Sequence, residues 1–141
     1  MFKFRGQRKD NGEWVEGYYV AIWNTQYQHY NHYIYTGYDM GVNDYSDGFV
    51  DERFEVNEKT LSVSNGKLDS NDMEIFASYP IDGVMTKGGD VVEFAFIKYD
   101  VEYSDDGGYF CAVCHADRHT MTFSEVYSHA FTIIGKQGGE K

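Results

Sequence analysis

GDVVEFAFIKYDVEYSDDGGYFCAVCHADRHTMTF, residues 89–123, is the stretch with the clearest strand pattern in this chain. Its aromatic and β-branched residues predict one long strand over 91–103, and the SDDGG run that follows predicts a turn. A second strand is predicted over 109–115, the ADRH run turns the chain again, and a third strand is predicted over 121–123. The stretch is therefore predicted to form a three-stranded antiparallel meander.

The rest of the chain repeats this pattern of short strands separated by Asn, Asp and Gly, without long helical periodicity. Turns are predicted at Asn11–Gly12 and Asn65–Gly66, and the Tyr-rich segment 24–48 is predicted to be a long loop with one short strand. The predicted fold class is mainly β, with antiparallel sheets and few short helical turns. The further strands are predicted at 2–5, 14–23, 32–35, 49–56, 60–63, 81–85 and 131–134.

One compact domain, residues 1–141, is the expected organisation for a chain of this length. The pattern also allows two β modules, 1–79 with the Tyr-rich loop and 80–135, followed by a polar tail over 136–141. No apolar run approaches the roughly 20 residues of a membrane span, and the amino terminus lacks a signal-peptide pattern. We therefore expect a soluble protein of the cytoplasm, whose exposed strand edges would allow a homodimer.

Charge is distributed unevenly along the chain. The formal net charge is −11, and residues 39–106 hold seventeen Asp and Glu against five Lys and Arg. Residues 1–38 hold three acidic and four basic residues, and residues 107–141 hold three of each. Because a negative field repels phosphates and attracts basic surfaces, we expect the middle segment to bind a basic protein, and direct nucleic-acid binding to be disfavoured.

Carboxylates and tyrosines are the candidates for partner binding. Carboxylates along strand faces can occupy clefts lined by Lys and Arg, and tyrosines supply large contact areas at a low entropic cost. A core of stacked aromatic rings is the alternative interpretation of the tyrosines. The candidate residues are Asp44, Asp47, Asp51, Glu52, Glu55, Glu58, Asp69, Asp72 and Glu74, with Tyr27, Tyr30, Tyr33, Tyr35 and Tyr38.

Cys111 and Cys114 are the only cysteines, and with His115 they form a C-x-x-C-H spacing that His119 follows. Zinc sites use this spacing where a tight turn brings two thiolates together. Here the pair lies in a predicted strand, where side chains three positions apart point to opposite faces. We therefore predict no metal and no cofactor, and Cys111, Cys114, His115 and His119 are the alternative zinc ligands.

Catalytic motifs are missing from the sequence. It contains no phosphate-binding glycine loop, no nucleophile elbow and no histidine placed beside a nucleophile in such a turn. Acidic pairs such as Asp51 and Glu55 are better explained as solvated strand faces than as acid–base groups. We therefore do not expect an enzyme.

Four segments resemble the YopX-like family of phage and prophage proteins. They are FKFRGQRKDNGEWVEGYYV at 2–20, TLSVSNGKLDSNDMEIF at 60–76, GDVVEF at 89–94 and IIG at 133–135. The resemblance implies a mostly β fold with a small half-open barrel in the second half, and an origin in a phage or mobile element. It implies no activity.

Three functional hypotheses follow. The first is a phage-encoded, non-enzymatic acidic protein that inhibits a basic nucleic-acid-handling enzyme of the bacterial host, such as an RNA-guided nuclease, by mimicking nucleic acid. The second is a small β-barrel module that associates with single-stranded nucleic acid through Lys3, Arg5, Arg8 and Lys9 beside Trp14 and the tyrosines. The third is a zinc or divalent-metal protein built on the Cys and His cluster.

Overall fold

The computed structural model of the protein describes residues 3–36, 52–123 and 128–138. Within these residues, no helix has the length and apolar character that a membrane span requires. The elements are β1 (Phe4–Gln7), β2 (Trp14–Asn24), β3 (His29–Tyr35), β4 (Arg53–Glu55), a 3-10 turn (Glu58–Thr60), β5 (Ser62–Leu68), β6 (Glu74–Ser78), β7 (Pro80–Ile81), β8 (Val84–Met85), β9 (Asp90–Phe94), β10 (Ile97–Ser104), β11 (Tyr109–Cys114), β12 (Thr120–Thr122), a second 3-10 turn (Ser128–Ala130) and β13 (Thr132–Lys136).

Nearly all described strands belong to one mixed sheet, which confirms the mainly β fold class. The strand order is β12-β11-β10-β6-β5-β1-β2-β3-β4, and β9 with β13 branches from the side of β10. All pairings in the sheet are antiparallel except the short parallel contact between β10 and β6, where Glu102 lies opposite Ser78. The short hairpin β7–β8 stands outside this sheet.

The predicted long strand over 91–103 is wrong, because the chain turns back on itself at Ala95 and Phe96. Phe94 of β9 lies opposite Ile97 of β10, so the hairpin has a two-residue loop. Both loop residues have positive φ angles, 54° and 70°. Such turns normally carry Asn or Gly, and the apolar Ala-Phe pair gives no sequence signal for a turn. The second half of the meander, from β10 to β12, follows the prediction closely.

The Tyr-rich segment is not a loop up to residue 35. β3 pairs with β2 over its whole length, from Tyr18 opposite Tyr35 to Asn24 opposite His29. The Asn24 carboxamide oxygen accepts the N–H groups of Gln26 and Tyr27, which closes a short turn without a glycine. The predicted strand at 32–35 is therefore the end of a long hairpin, and residues 37–51 lie outside the described part of the chain.

Residues Asn65 and Gly66 do not end a strand, contrary to the predicted turn. They lie inside β5, where the pairing register with β6 shifts between Ser64 and Leu68. Gly66 has a φ of 78°, which suits an irregularity in a strand as well as a turn. The same Asn-Gly signal therefore marks a bulge rather than a reversal of the chain.

In the second half of the chain, β5, β6, β10, β9 and β13 curl around Val92, Val101 and Phe131, all at most 1% exposed. Within the described residues β13 pairs only with β9, so backbone pairing leaves this curl open. The gap is bridged by Asp69, whose carboxylate accepts the N–H of Ile133 at 2.9 Å. Ser70 N–H also donates to the Phe131 carbonyl at 2.8 Å.

A row of aromatic rings joins the two halves of the molecule across one face of the sheet. Neighbouring ring centroids lie 5.0–5.8 Å apart, within the range of favourable aromatic pairs. Because the row runs from β3 to β11, residues before and after position 80 share one core. The rings belong to His32, Tyr19, Phe4, Tyr79, Tyr103 and Phe110.

Candidate binding surface

The distal part of the β2–β3 hairpin exposes aromatic rings on an uncharged ribbon. Trp23, Tyr27 and Tyr30 are 46%, 63% and 50% exposed. The Trp23 and Tyr30 rings meet edge to face at 5.1 Å, and Tyr27 stacks with His29 at 6.1 Å. No Asp, Glu, Lys or Arg occurs from 17 to 36 in this otherwise charge-rich chain. We call residues 20–30 the aromatic ribbon.

The remaining candidate tyrosines lie away from this exposed end. Tyr33 and Tyr35 are half-buried where β3 meets β4, and the Arg53 guanidinium lies 4.5 Å above the Tyr33 ring. Arg53 also donates to the Tyr35 hydroxyl at 3.3 Å. Tyr38 lies outside the described residues. The structure therefore separates Tyr27 and Tyr30, which are free to contact a partner, from Tyr33 and Tyr35, which support the sheet.

Behind the aromatic ribbon, Tyr19, His32 and Glu58 form a hydrogen-bonded chain. The Tyr19 hydroxyl lies 2.7 Å from His32 Nδ1, and His32 Nε2 lies 2.7 Å from Glu58 Oε1. Burial raises the pKa of Tyr19 to about 12, so the phenol keeps its proton at neutral pH. These distances allow the Tyr19 hydroxyl to donate to Nδ1 while Nε2–H donates to Glu58.

A cavity of about 420 Å³ opens beside His32, between the ribbon and the first 3-10 turn. Lys9 and Lys59 bring positive charge to its wall, and Glu58 and Asp82 bring negative charge. The cavity therefore favours neither a cationic nor an anionic ligand. The burial of the His32 side chain is explained by its two hydrogen bonds within the chain.

The candidate carboxylates differ in their exposure and in the groups that they contact. Asp69 was expected on a partner-binding face, but it is 1% exposed and accepts the N–H groups of Asn71, Met73 and Ile133. This carboxylate satisfies buried backbone donors, so it cannot reach a partner. Glu52 is exposed and forms no ion pair with another described residue. Asp44, Asp47 and Asp51 lie outside the described residues.

Other candidate carboxylates are engaged in internal pairs. Glu74 lies 2.7 Å from Lys3 Nζ and also accepts from Ser64, and Glu55 lies 3.2 Å from Lys9 Nζ. Glu58 faces His32, and the exposed Asp72 lies 3.6 Å from His129 Nε2. Sequence reasoning could not separate these residues from the unpaired ones, because their ion-pair partners lie at least 26 positions away in the sequence.

Sequence reasoning missed a second cavity, of about 510 Å³, between the β7–β8 hairpin and the β10–β11 turn. Its wall includes Tyr103 and Tyr109, and its rim carries Glu102, Asp105 and Asp106. The SDDGG run between two aromatic strand ends was the visible signal for it. Only the placement of the β7–β8 hairpin beside this turn creates the half-open cavity.

The two cysteines lie on opposite faces of β11. Cys111 lies opposite Glu102 and Thr122, and Cys114 lies opposite Tyr99 and packs in the core. Both thiols are free and buried, and burial raises the pKa of Cys111. Across the described residues, no group of three or more His, Cys, Asp or Glu side chains is placed to hold a metal ion.

Comparisons with protein-family models, curated proteins and solved structures found no match to this chain.

Proposed function

We propose that this chain is a non-enzymatic, acidic binding protein that docks on a basic protein surface. In its specific form, the proposal is an inhibitor of a nucleic-acid-handling enzyme, such as an RNA-guided nuclease, encoded by a phage or prophage as the YopX-like resemblance implies. Carboxylates of the chain would occupy a cleft that normally holds phosphates. The aromatic ribbon would supply the desolvated anchors beside them.

The observation that carries the proposal is that the basic amino-terminal residues are paired within the chain, while several exposed carboxylates are left without an ion pair among the described residues. Lys3, Arg5, Arg8 and Lys9 all pair with carboxylates of the same chain. Each such pair cancels one positive and one negative charge. The excess of the 23 acidic over the 12 basic residues is therefore unchanged by pairing. The surplus must be carried by other carboxylates, and Glu52, Asp82, Asp105 and Asp106 are exposed without an ion pair to any described residue.

The aromatic ribbon supports protein recognition in particular. Protein-binding loops in antibodies combine rigid Tyr and Trp anchors with adaptable polar residues such as Asn and Ser. The ribbon likewise places Trp and Tyr beside Asn, Gln, Thr and His. Trp23, Tyr27 and Tyr30 are exposed together at one end of the hairpin. Hot spots at protein interfaces are enriched in these two residue types.

The internal pairs do not favour the single-stranded nucleic-acid hypothesis. That hypothesis needs Lys3, Arg5, Arg8 and Lys9 to contact phosphates, whereas each of them is held by a carboxylate. A phosphate would have to displace these carboxylates in a chain whose net charge repels it.

The proposal is tested with a panel of purified RNA-guided nucleases. We expect the chain to bind one of them, to compete with its DNA substrate, and to lose at least about tenfold in affinity between 50 and 500 mM salt. The variant Glu52→Lys/Asp82→Lys should weaken binding further. The matched control Lys67→Glu/Lys87→Glu changes two exposed lysines and should retain or strengthen it. Binding that ignores both salt and charge reversal, or the absence of binding across the panel at micromolar protein, would overturn the proposal.

A further inference from the structure

We propose that the cavity between the β7–β8 hairpin and the β10–β11 turn binds the guanidinium group of an arginine side chain from the protein partner. This inference rests on the proposed function, because it names the group by which a basic partner would be recognised. It is carried by the shape of the cavity, by the aromatic rings in its wall and by the carboxylates at its rim.

The cavity is large enough to admit an arginine side chain, and part of its lining is apolar. Its volume is about 510 Å³, and Pro80, Met85 and Val113 give it apolar surface that suits the methylene stem of an arginine. Cys111, a residue that is 6% exposed, also lines the cavity, and no hydrogen bond of its thiol to another described residue is present. A stem that enters beside this thiol displaces no existing hydrogen bond.

Two tyrosine rings line the cavity, and one of them, Tyr103, is held in place before any ligand enters. The Tyr103 ring stacks with Tyr79 at 5.6 Å and meets Phe110 edge to face at 5.0 Å. Tyr109 lies against Gly107, where a Cβ atom would come within 2.2 Å of the tyrosine ring. A side chain at position 107 would therefore displace the Tyr109 ring from the cavity wall. A planar guanidinium stacks well on such rings.

The carboxylates at the rim determine the charge of the ligand that the cavity favours. Glu102, Asp105 and Asp106 line the cavity. Arg118 Nη2 lies 3.9 Å from Glu102 Oε2, and Lys87 also acts electrostatically on Glu102. Arg118 is mostly exposed and does not line the cavity. Burial raises the pKa of Glu102 although Arg118 opposes the shift. A cation that enters the cavity therefore meets a carboxylate that is poorly solvated and incompletely paired.

The combination of apolar surface, tyrosine rings and rim carboxylates favours an arginine side chain over other ligands. A neutral ligand would make no ion pair with the three carboxylates, and an anion would be repelled by them. A metal ion would not use the apolar wall, and the described residues offer no group of ligands for one. A lysine ammonium matches the charge but lacks the planar group that stacks on Tyr103 and Tyr109.

The test uses a small probe and the full chain, so it does not depend on the identity of the partner. The ¹⁵N-labelled protein is titrated with N-acetyl-argininamide, and N-acetyl-citrullinamide serves as a neutral probe of nearly the same shape. We expect the arginine probe to shift the amide signals of Ser104, Gly107, Gly108 and Tyr109 with a Kd of about 1–10 mM. The citrulline probe should bind at least about fivefold more weakly.

Charge-neutralised variants complete the test. Asp105→Asn/Asp106→Asn should weaken binding of the arginine probe at least about fivefold, because it removes two of the three carboxylates at the rim. The control Glu13→Gln/Asp72→Asn removes the same charge from exposed positions outside the cavity and should leave the Kd unchanged. Amide spectra of both variants establish that the fold is retained.

Equal binding of the two probes, or equal loss in the two variants, would overturn the arginine pocket. Failure of the probe together with salt-sensitive binding to a nuclease would remove only this pocket. Probe binding without binding to any nuclease in the panel would support the pocket and remove the nuclease proposal.

Discussion

Arg5 Nη2 lies 2.7 Å from Asp90 Oδ1, and these side chains are 11% and 3% exposed. The pair joins β1 to the start of β9, which are far apart in sequence. The guanidinium also donates to the Gly88 carbonyl and to Ser62, and it lies 4.3 Å above the Phe76 ring. Burial raises the pKa of Asp90 in spite of the neighbouring Arg5, so desolvation of this carboxylate outweighs its attraction to the guanidinium.

Removal of one partner from this pair should lower the free energy of unfolding more than replacement of both partners by apolar residues. Asp90→Ala leaves the Arg5 guanidinium and the Phe76 N–H without their buried acceptor, and the free energy of unfolding should fall by about 3–5 kcal/mol. Arg5→Met/Asp90→Leu removes both charges and should lose at least about 1 kcal/mol less than the single change. Urea titrations of the three proteins measure the difference. A double variant that is less stable than Asp90→Ala would contradict this account.

Asp69 should make stability depend on acid pH. Burial opposes ionisation of its carboxyl, but the N–H groups of Ile133, Met73 and Asn71 outweigh it and lower the pKa of Asp69. The stabilising contribution is therefore present above the pKa of the unfolded chain and is lost as the pH falls through the lower pKa of the folded state. Asp69→Asn should reduce the free energy of unfolding at pH 7 by about 2–4 kcal/mol.

The pH series separates this effect from simple damage to the fold. The difference between wild type and Asp69→Asn should shrink as the pH is lowered from 7 to about 2.5, because the wild-type carboxyl also becomes neutral. Urea titrations at several pH values measure it, and a difference that stays constant over this range would argue against the charge of Asp69 as the cause.

The β9–β10 turn should be improved by residues that accept positive φ. Ala95 and Phe96 both have positive φ, and Phe96 is 96% exposed, so its ring makes little contact with the rest of the chain. Ala95→Asn/Phe96→Gly should raise the free energy of unfolding by about 1 kcal/mol. The β7–β8 turn already has Asp82 and Gly83 at φ angles of 54° and 79°, so Asp82→Asn should change stability by less than about 0.5 kcal/mol. A loss of stability in the first variant would show that Phe96 packs in solution.

The aromatic ribbon should matter for binding more than for folding. Trp23→Ala and Tyr30→Ala each remove a half-exposed ring and should cost less than about 1.5 kcal/mol of stability. Each should weaken binding to a protein partner by about 2 kcal/mol or more if the ring is an anchor. Tyr19→Phe is the converse control, because it removes the partly buried hydroxyl beside His32. It should cost about 1–2 kcal/mol of stability without weakening binding. Thermal unfolding and partner titrations distinguish the two kinds of effect.

Zinc should be absent from protein purified without added metal. Cys111 and Cys114 lie on opposite faces of β11, so one tetrahedral ion cannot bind both thiolates while the strand is intact. Elemental analysis should find less than about a tenth of an equivalent of zinc. One equivalent of zinc that is lost in Cys111→Ser would require a different local structure at β11.

Most individual strands could be predicted because alternation and turn residues are local properties. β2, β11 and β12 follow their predicted bounds within about two residues, as expected for boundary errors of this kind. The failures occurred where tertiary packing overrode a local signal. The Ala95–Phe96 turn has no turn residues, and the Asn65–Gly66 pair lies inside β5, so neither could be read from composition.

Strand alternation along β11 was enough to place Cys111 and Cys114 on opposite faces, since the side-chain period of a strand does not depend on its neighbours. The role of each carboxylate could not be predicted from strand alternation. Asp69, Glu74 and Asp105 look alike in the sequence, yet one binds backbone N–H groups, one pairs with Lys3 and one is exposed beside a cavity. Strand order decides this difference, because it brings β1, β5, β6 and β9 together and so determines which charges are desolvated and which face water.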